Sequence, residues 1–210
     1  MSINFIPRDN VEVPELKFEK SILLNPGNTA LIIVDMQNDF VRDDGSLFVP
    51  AAKETIQNIS HLLEQARKEK VKIVYTQDTH LEGDKEWEIW PEHCKKGSYG
   101  WQIIDELMPA KSELVIEKNR YDGFYETPLE HYLTHVWDIQ NLVIVGTVSN
   151  ICVAQTAASA GLRWYSLVIP ANGISSLTDF DQAMTLRQVT SLYAGKIVKS
   201  CDDILFSMSN

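Results

Sequence analysis

Residues 141–161 read NLVIVGTVSNICVAQTAASAG, and the order of residue types in this stretch decides the fold class. The apolar run at 141–146 has the length and the Val/Ile content of a buried strand. The small residues from 151 onward predict a helix with Gly161 as its C-cap. Because Cys152 falls in the first turn of that helix, we expect a strand–turn–helix unit with a cysteine at the end of the strand.

Apolar runs and helical patterns alternate on both sides of this unit. Strands are predicted at 29–35, 71–76, 113–118, 164–170 and 196–198, and helices at 51–70, 127–136 and 179–194. In the helix at 127–136 we expect Leu129, Leu133 and Val136 to share one face. Continuous Val/Ile/Leu strands that alternate with helices are typical of a mostly parallel sheet covered on both faces, an α/β fold.

The chain divides into a short arm and one domain. Residues 1–27 have mixed character and form a predicted N-terminal arm, whose apolar positions indicate packing on the body or on a neighbouring subunit. Residues 28–210 form a single predicted domain, since 210 residues suffice for one domain with a sizeable core.

Composition excludes several classes of partner. The formal net charge of −10 disfavours nucleic acid and anionic membrane surfaces. No apolar run approaches the roughly 18–20 residues that span a bilayer, and the N-terminus lacks a signal-peptide pattern, so we expect a cytoplasmic protein. Cys94, Cys152 and Cys201 are odd in number and widely spaced, which indicates reduced thiols.

Reactive residue types stand at the ends of four predicted strands. Asp35 ends the first, Asp78 and His80 follow the second, Lys118 ends the third, and Cys152 follows the fourth. Ligands of parallel α/β sheets bind outside the carboxyl ends of the strands. We therefore expect these side chains to meet at the carboxyl-end edge of the sheet, here called the rim.

Each residue of the rim also has a structural interpretation. Cys152 alone is most simply a packing residue, Asp35 a strand-end cap and Lys118 a surface lysine. Together they form a nucleophilic set in which the carboxylate takes the thiol proton and returns it to a leaving amine. The helix N-terminus and the ammonium of Lys118 are expected to keep Asp35 ionised and the thiol acidic.

A second group of ligand-type residues lies at 77–94. Asp78, His80, Glu86 and His93 offer two imidazoles and carboxylates, a set suited to Zn, Fe or Mn. The alternative is a charged loop in which two histidines occur by chance. Spacing alone does not separate these interpretations.

Three motifs carry a resemblance to a known family. LIIVDMQNDF at 31–40, VIEKNRYDGFYETPL at 115–129 and GTVSNICVAQTA at 146–157 resemble the isochorismatase-like cysteine hydrolases, and within them the nicotinamidases. The resemblance extends over about residues 28–200. It implies a three-layer αβα fold with a six-stranded, mostly parallel sheet, and a homodimer or homotetramer.

The resemblance also implies roles for the residues of the rim. Asp35 would be the general base and acid, Lys118 the charge stabiliser and Cys152 the nucleophile. The backbone N–H groups of Val148 and Cys152 would form the oxyanion hole, with a cis peptide bond between Thr147 and Val148.

The nicotinamidase motifs Asp-x-His and Trp-Pro-x-His match DTH at 78–80 and WPEH at 90–93. The resemblance thus implies a divalent metal, zinc first and iron or manganese as alternatives, held by Asp78, His80, His93 and a further ligand. That ligand is Glu86, with Glu82, Glu88 or water as alternatives.

The aromatic residues near these motifs are implied to bind the substrate. Phe40 and Trp90 match positions that sandwich a pyridine ring, and Tyr121 is expected to line the same pocket.

The expected activity is hydrolysis of nicotinamide to nicotinate and ammonia through a cysteine thioester. Family members that act on isochorismate or ureido substrates usually lack the full ligand set. Alternatives are a cysteine hydrolase of a small carbamoyl, ureido or other amide, an isochorismatase-type hydrolase, or a silent binding protein. The intact Asp35, Lys118 and Cys152 argue against the last of these.

Overall fold

The computed structural model describes residues 14–208, in which strands and helices alternate along the chain. The strands are β1 (Ile22–Leu24), β2 (Thr29–Val34), β3 (Lys72–Asp78), β4 (Leu114–Lys118), β5 (Asn141–Thr147), β6 (Ser166–Pro170), β7 (Ile174–Ser175), β8 (Lys196–Val198) and β9 (Ile204–Phe206). The α-helices are α1 (Asn38–Val41), α2 (Ala52–Lys68), α3 (Ala154–Leu162) and α4 (Asp179–Tyr193). π-Helical segments occupy His131–Val136 and Ser149–Val153.

The central sheet has the strand order β4-β3-β2-β5-β6-β8, and every pair in it is parallel. The predicted α/β fold class is therefore confirmed. The sheet has seven strands rather than six, because the two-residue strand β7 pairs with the end of β5 outside the main path.

Both faces of the sheet are covered. Along β2, Leu31 and Ile33 face one apolar cluster, which includes Ile59 and Leu63 of α2. Ala30, Ile32 and Val34 face the other cluster, to which α3 and α4 contribute. Since β2 is buried on both faces, its sequence is continuously apolar rather than alternating.

The helix that carries the small residues ends later than predicted. Gly161 lies within α3, which continues to Leu162 with Arg163 as its C-cap, so the prediction of a Gly161 cap is wrong. A Cβ atom at position 161 would stand 2.5 Å from the ring of Tyr193 at the end of α4. The glycine therefore permits close packing of two helices.

The predicted apolar face at 127–136 is only partly correct. Leu129 and Leu133 are buried, whereas Val136 is 52% exposed. The reason is that His131–Val136 is π-helical, so residue 136 does not return to the face that an α-helix would give it.

The described part of the predicted arm packs on the body. Leu16 and Phe18 contact the core cluster that contains α3, and the Glu19 amide donates to Ile197 O at 2.9 Å. β1 then pairs with β9 in a separate two-stranded parallel sheet. The rest of the arm, residues 1–13, lies outside the described residues, and a division at residue 27 remains a prediction. None of the helices within residues 14–208 is both long and apolar enough to cross a bilayer.

Candidate active site

The carboxyl ends of four adjacent strands form the candidate site. β4, β3, β2 and β5 are neighbours, and the parallel register pairs Lys118 with Asp78 and Val34 with Gly146. Asp35 follows β2 directly, so its side chain lies between those of β3 and β5. The strand order thus brings the rim residues, which lie on separate strands, close together in space.

Lys118 stands at the centre of the first group of side chains. Its Nζ lies 2.8 Å from Asp35 Oδ2, 3.0 Å from Asp78 Oδ1 and 3.7 Å from Cys152 Sγ. The lysine side chain is fully buried. A buried ammonium is tolerated here because two carboxylates surround it.

The backbone turns sharply at Asp35 to aim its carboxylate at the lysine. Asp35 has a φ of 48°, in the left-handed region, and its amide donates to Thr76 O at 3.2 Å. Thr76 Oγ1 donates to Asp35 Oδ1 at 2.7 Å, which leaves Oδ2 for Lys118. Thr76 was not predicted as a site residue, although it is the last residue of the strand predicted at 71–76.

Burial controls the proton affinities of these groups. It raises the pKa of the Asp35 carboxyl, against the opposing charge of Lys118. Burial also raises the pKa of the Cys152 thiol well above its usual range, and the Asp35 carboxylate adds to this effect. The expectation that Lys118 makes the thiol acidic is therefore wrong, because burial outweighs the ammonium and keeps the Cys152 thiol neutral. That Lys118 keeps the Asp35 carboxylate ionised stays a prediction.

The turn before Cys152 has an unusual backbone. The peptide bond between Thr147 and Val148 is cis. Gly146 has a φ of 115°, and a Cβ there would stand 2.1 Å from Val34 O, so only glycine allows β5 to approach β2 this closely. The π-helical segment that follows places Cys152 and Val148 on the wall of one cavity.

The second group brings the four ligand-type residues together. One ligand atom from each of Asp78, His80, Glu86 and His93 lies within 4.8 Å of the others, and all four residues are buried. The two alternative carboxylates, Glu82 and Glu88, are exposed. Two imidazoles and two carboxylates at this separation fit a divalent cation such as zinc.

Asp78 belongs to both groups. Its Oδ1 accepts a hydrogen bond from Lys118, while its Oδ2 lies 3.0 Å from His80 Nε2 and 3.4 Å from His93 Nε2. Gln37 fixes the backbone of Asp78 by accepting from its amide at 2.7 Å and donating to its carbonyl at 2.8 Å. Gln37 was also not predicted, although it stands two residues after Asp35 in a quoted motif.

These contacts set the charge of the cluster. Burial disfavours ionisation of Asp78, but Lys118 and the two histidines outweigh it and lower the pKa of the carboxyl. Burial also disfavours the imidazolium of His80. Its bonds to Asp78 and Asp84 outweigh that effect and raise the pKa of His80 to about 9. The cluster is therefore strongly attractive to positive charge.

The three predicted aromatic residues line the cavity that reaches Cys152. Trp90 Nε1 donates to Tyr121 Oη at 2.9 Å, and the Phe40 ring stands 5.9 Å from that of His93. The other lining residues are Leu47, Val49, Asp78, Glu86, His93, Val148, Ile151, Cys152 and Leu177. Among these described lining residues there is no lysine and no arginine. One cavity thus joins the thiol, three of the ligand-type residues and the aromatic rings.

The other two cysteines do not line this cavity. Cys94 and Cys201 are free and buried, and burial raises the pKa of both thiols, that of Cys201 to about 12. Cys94 follows His93, and its amide donates to Asp39 Oδ2 at 2.7 Å. Cys152 therefore differs from them in access to the cavity rather than in acidity.

Comparison with known proteins identifies the family. Residues 29–200 match the Isochorismatase domain, and the chain belongs to the isochorismatase family of hydrolases. A ureidoacrylate amidohydrolase of Agrobacterium fabrum is 29% identical over 199 residues, with 82% of this chain and 87% of that protein covered.

Two solved structures have the same fold. The nicotinamidase of Bacillus subtilis superposes with a TM-score of 0.77 at 26% identity, covering 82% of this chain and 100% of the other. The pyrazinamidase of Pyrococcus horikoshii, solved in complex with zinc, gives 0.76 at 25% identity and covers 81% and 98%. The predicted resemblance to this family, with nicotinamidase-like relatives, is thus confirmed.

Proposed function

We propose that this isochorismatase-family hydrolase cleaves the carboxamide of a neutral, aromatic N-heterocyclic amide, with nicotinamide as the substrate. The observation that carries the proposal is the single cavity that joins Cys152 to Asp78, Glu86 and His93 and is otherwise largely apolar. In the proposed pose a flat ring lies between Phe40 and Trp90, both of which line the cavity, with its carboxamide toward the thiol and its ring nitrogen toward the ligand-type residues.

The charge of the cavity supports an uncharged substrate. Asp78 and Glu86 are its acidic lining residues, and no lysine or arginine is among the described residues that line it. A ureido acid or isochorismate carries carboxylates, which need a cationic partner when they are desolvated. Nicotinamide has no charge to compensate, so the lining favours it over the ureido alternative.

Asp78, His80, Glu86 and His93 would hold the divalent cation. When bound, zinc or a similar metal would supply an electrophilic partner for the ring nitrogen of the substrate and thereby orient the ring. At the carboxamide, the cation that this chain itself supplies is Lys118, which pairs with both Asp35 and Asp78 beside Cys152.

Proton transfer from Cys152 begins the chemical steps. Ionised Asp35 takes the thiol proton, and the sulfur attacks the carboxamide carbon as its carbonyl π electrons move to oxygen. The N–H groups of Val148 and Cys152 stabilise that oxyanion. Protonated Asp35 then donates to the amide nitrogen, the C–N bond breaks, and ammonia leaves a thioester on Cys152.

Water completes the cycle. Asp35 removes a proton from water as the oxygen attacks the thioester carbon, and the C–S bond breaks with return of the proton to sulfur. The product is nicotinic acid, which loses its proton to solvent and leaves as nicotinate. The raised pKa of Asp35 favours uptake of the thiol proton, which the protonated carboxyl then returns to the leaving nitrogen. Lys118 stabilises the transient thiolate from 3.7 Å.

Ammonia release from paired substrates tests this function. Zinc-loaded protein should hydrolyse nicotinamide and pyrazinamide with a kcat/KM at least about 100-fold above that for ureidoacrylate. Ureidoacrylate has no aromatic ring for Phe40 and Trp90 and no ring nitrogen for the metal, and its carboxylate meets no lysine or arginine in the cavity lining. Turnover of ureidoacrylate without turnover of nicotinamide would overturn the proposal and favour the ureido-hydrolase alternative.

A further inference from the structure

A carboxylate outside the ligand cluster contacts two of its members. Asp84 Oδ2 lies 3.0 Å from His80 Nδ1, and Asp84 Oδ1 accepts from the Glu86 amide at 2.9 Å. The Asp84 side chain is only 9% exposed. One side chain therefore reaches both the ring of one ligand residue and the backbone of another.

The contact with His80 decides which ring nitrogen faces the cluster. His80 Nε2 lies 3.0 Å from Asp78 Oδ2, on the side where the four ligand atoms meet. With Nδ1–H donated to Asp84, the ring cannot rotate without losing that bond. Carboxylates that hold a histidine in this way fix both the tautomer and the orientation of the ring.

The contact with Glu86 fixes the start of the helical turn that carries this residue. Asp84 caps the 3₁₀ turn Lys85–Glu88 through the Glu86 amide. Glu86 is buried, whereas Glu82 and Glu88 nearby are exposed. The cap therefore sets which glutamate of the loop points into the cluster.

Arg120 holds Asp84 from the opposite side. Its Nη1 lies 3.1 Å from Asp84 Oδ1 and 3.2 Å from Oδ2, and 3.7 Å from Glu86 Oε2. Arg120 stands two residues after Lys118, at the end of β4. The ion pair thus ties the ligand loop to the strand that carries the buried lysine.

We propose that Asp84 and Arg120 are positioning residues that hold His80 and Glu86 ready to bind a divalent cation. The inference rests on the metal site of the proposed function. A purely structural ion pair at a half-exposed arginine would contribute little to folding and would leave metal affinity unchanged.

Metal affinity, measured without substrate, tests the inference. Metal-free wild-type protein is titrated with Zn²⁺ against a chromophoric chelator, beside the variants Asp84→Asn and Arg120→Gln. Loss of a carboxylate that orients a ligand histidine should weaken Zn²⁺ binding about 10–100-fold in Asp84→Asn. Arg120→Gln should weaken it less, by about 3–10-fold, because the contact of Asp84 with His80 remains.

Glu130→Gln is the matched control. It breaks the Arg163–Glu130 ion pair, which has an N–O distance of 2.7 Å and does not involve the ligand cluster. Arg163 is exposed to a degree similar to that of Arg120, although Glu130 is more exposed than Asp84. This variant should bind Zn²⁺ as the wild type does. The visible spectrum of the Co²⁺-loaded protein should change in Asp84→Asn and stay unchanged in Glu130→Gln, because it reports the geometry of the ligands rather than stability.

The possible failures are distinguishable. Wild-type protein that binds no Zn²⁺ would overturn the metal site and, with it, this inference. Wild-type protein that binds Zn²⁺ while Asp84→Asn binds it within two-fold, with an unchanged Co²⁺ spectrum, would overturn the inference alone. If Asp84→Asn does not fold, the variant Arg120→Gln replaces it as the test, because Arg120 is half-exposed. Wild-type Zn²⁺ affinity in Arg120→Gln would then overturn the proposal.

Discussion

The strand ends and the ligand loop meet at one cavity but are held in different ways. Lys118 and Asp78 are placed by the β3–β4 register, and Asp35 by the end of β2. His80, Glu86 and His93 follow the last residue of β3, and side-chain contacts such as those of Asp84 hold their loop. The strand ends are therefore held by the backbone ladder of the sheet, while the loop is held by side-chain contacts and by the backbone hydrogen bonds of His80 to Cys94 and Lys96.

Asp78 contacts both the strand-end residues and the residues of the ligand loop. Its two carboxylate oxygens serve the two sides separately, Oδ1 for Lys118 and Oδ2 for the histidines. The nucleophilic group and the metal group, which the sequence suggests are separate, thus share one residue. Substitutions at Lys118 and at the metal-ligand residues should therefore affect activity and bound metal differently.

The largest effect is expected at the nucleophile. Cys152→Ala should lower kcat/KM for nicotinamide by at least about 10³-fold, because no thioester can form. Zn²⁺ content should stay unchanged, since Cys152 is not among the four ligand-type residues. Ammonia release and elemental analysis measure the two.

Cys201→Ala is the control for a buried cysteine outside the cavity. It should keep the wild-type rate and lose about 1 kcal/mol of stability through the small void that it leaves. Substantial activity in Cys152→Ala would show that the nucleophile is misassigned.

The next effect separates the two sides of Asp78. Lys118→Ala should lose most activity and keep bound Zn²⁺, because Asp78 Oδ2 still faces the histidines. Asp78→Ala should lose both activity and bound Zn²⁺.

Lys118→Ala also leaves the buried carboxylates of Asp35 and Asp78 without their cationic partner. The free energy of unfolding of metal-free protein should fall by about 3–5 kcal/mol. Chemical denaturation and metal analysis check these outcomes, and loss of Zn²⁺ from Lys118→Ala would mean that the two sides are one unit.

A smaller effect identifies the loop carboxylate that binds the metal. Glu86→Gln should weaken Zn²⁺ binding by more than about 10-fold, whereas Glu88→Gln should leave it unchanged, because Glu88 is exposed. Chelator competition measures both variants. The reverse result would exchange the two assignments.

The smallest effect concerns the aromatic wall. Tyr121→Phe removes the acceptor of the Trp90 indole N–H. Substrate binding should weaken by about 0.5–1.5 kcal/mol because the Trp90 ring is held less firmly, and KM should rise about 2–10-fold. The kcat should change little, because the hydrogen bond that is lost joins the Tyr121 hydroxyl to Trp90 and not to Asp35, Lys118 or Cys152. A large fall in kcat with unchanged KM would indicate a different role for Tyr121.

The two regions also differ in how far the sequence predicts them. Asp35 and Cys152 follow the apolar strands β2 and β5, and Lys118 ends β4, so their convergence follows from the parallel sheet. The choice of Glu86 among three glutamates depends on the Asp84 cap, which no periodicity reveals. Likewise the contact of Gly161 with Tyr193 joins distant helices, and β7 is too short to produce a pattern. The high pKa of the Cys152 thiol depends on burial, which residue type alone does not report.

The most direct test of the central claim, that one cavity joins the thiol to the metal ligands, compares nicotinamide with benzamide in wild-type protein and in His93→Ala. Benzamide has the same carboxamide and a similar ring face but lacks the ring nitrogen. Wild-type kcat/KM, measured by ammonia release, should favour nicotinamide by at least about 100-fold, and the ratio should fall toward one in His93→Ala. Equal wild-type rates for the two amides, or a preference that survives intact in His93→Ala, would contradict the account.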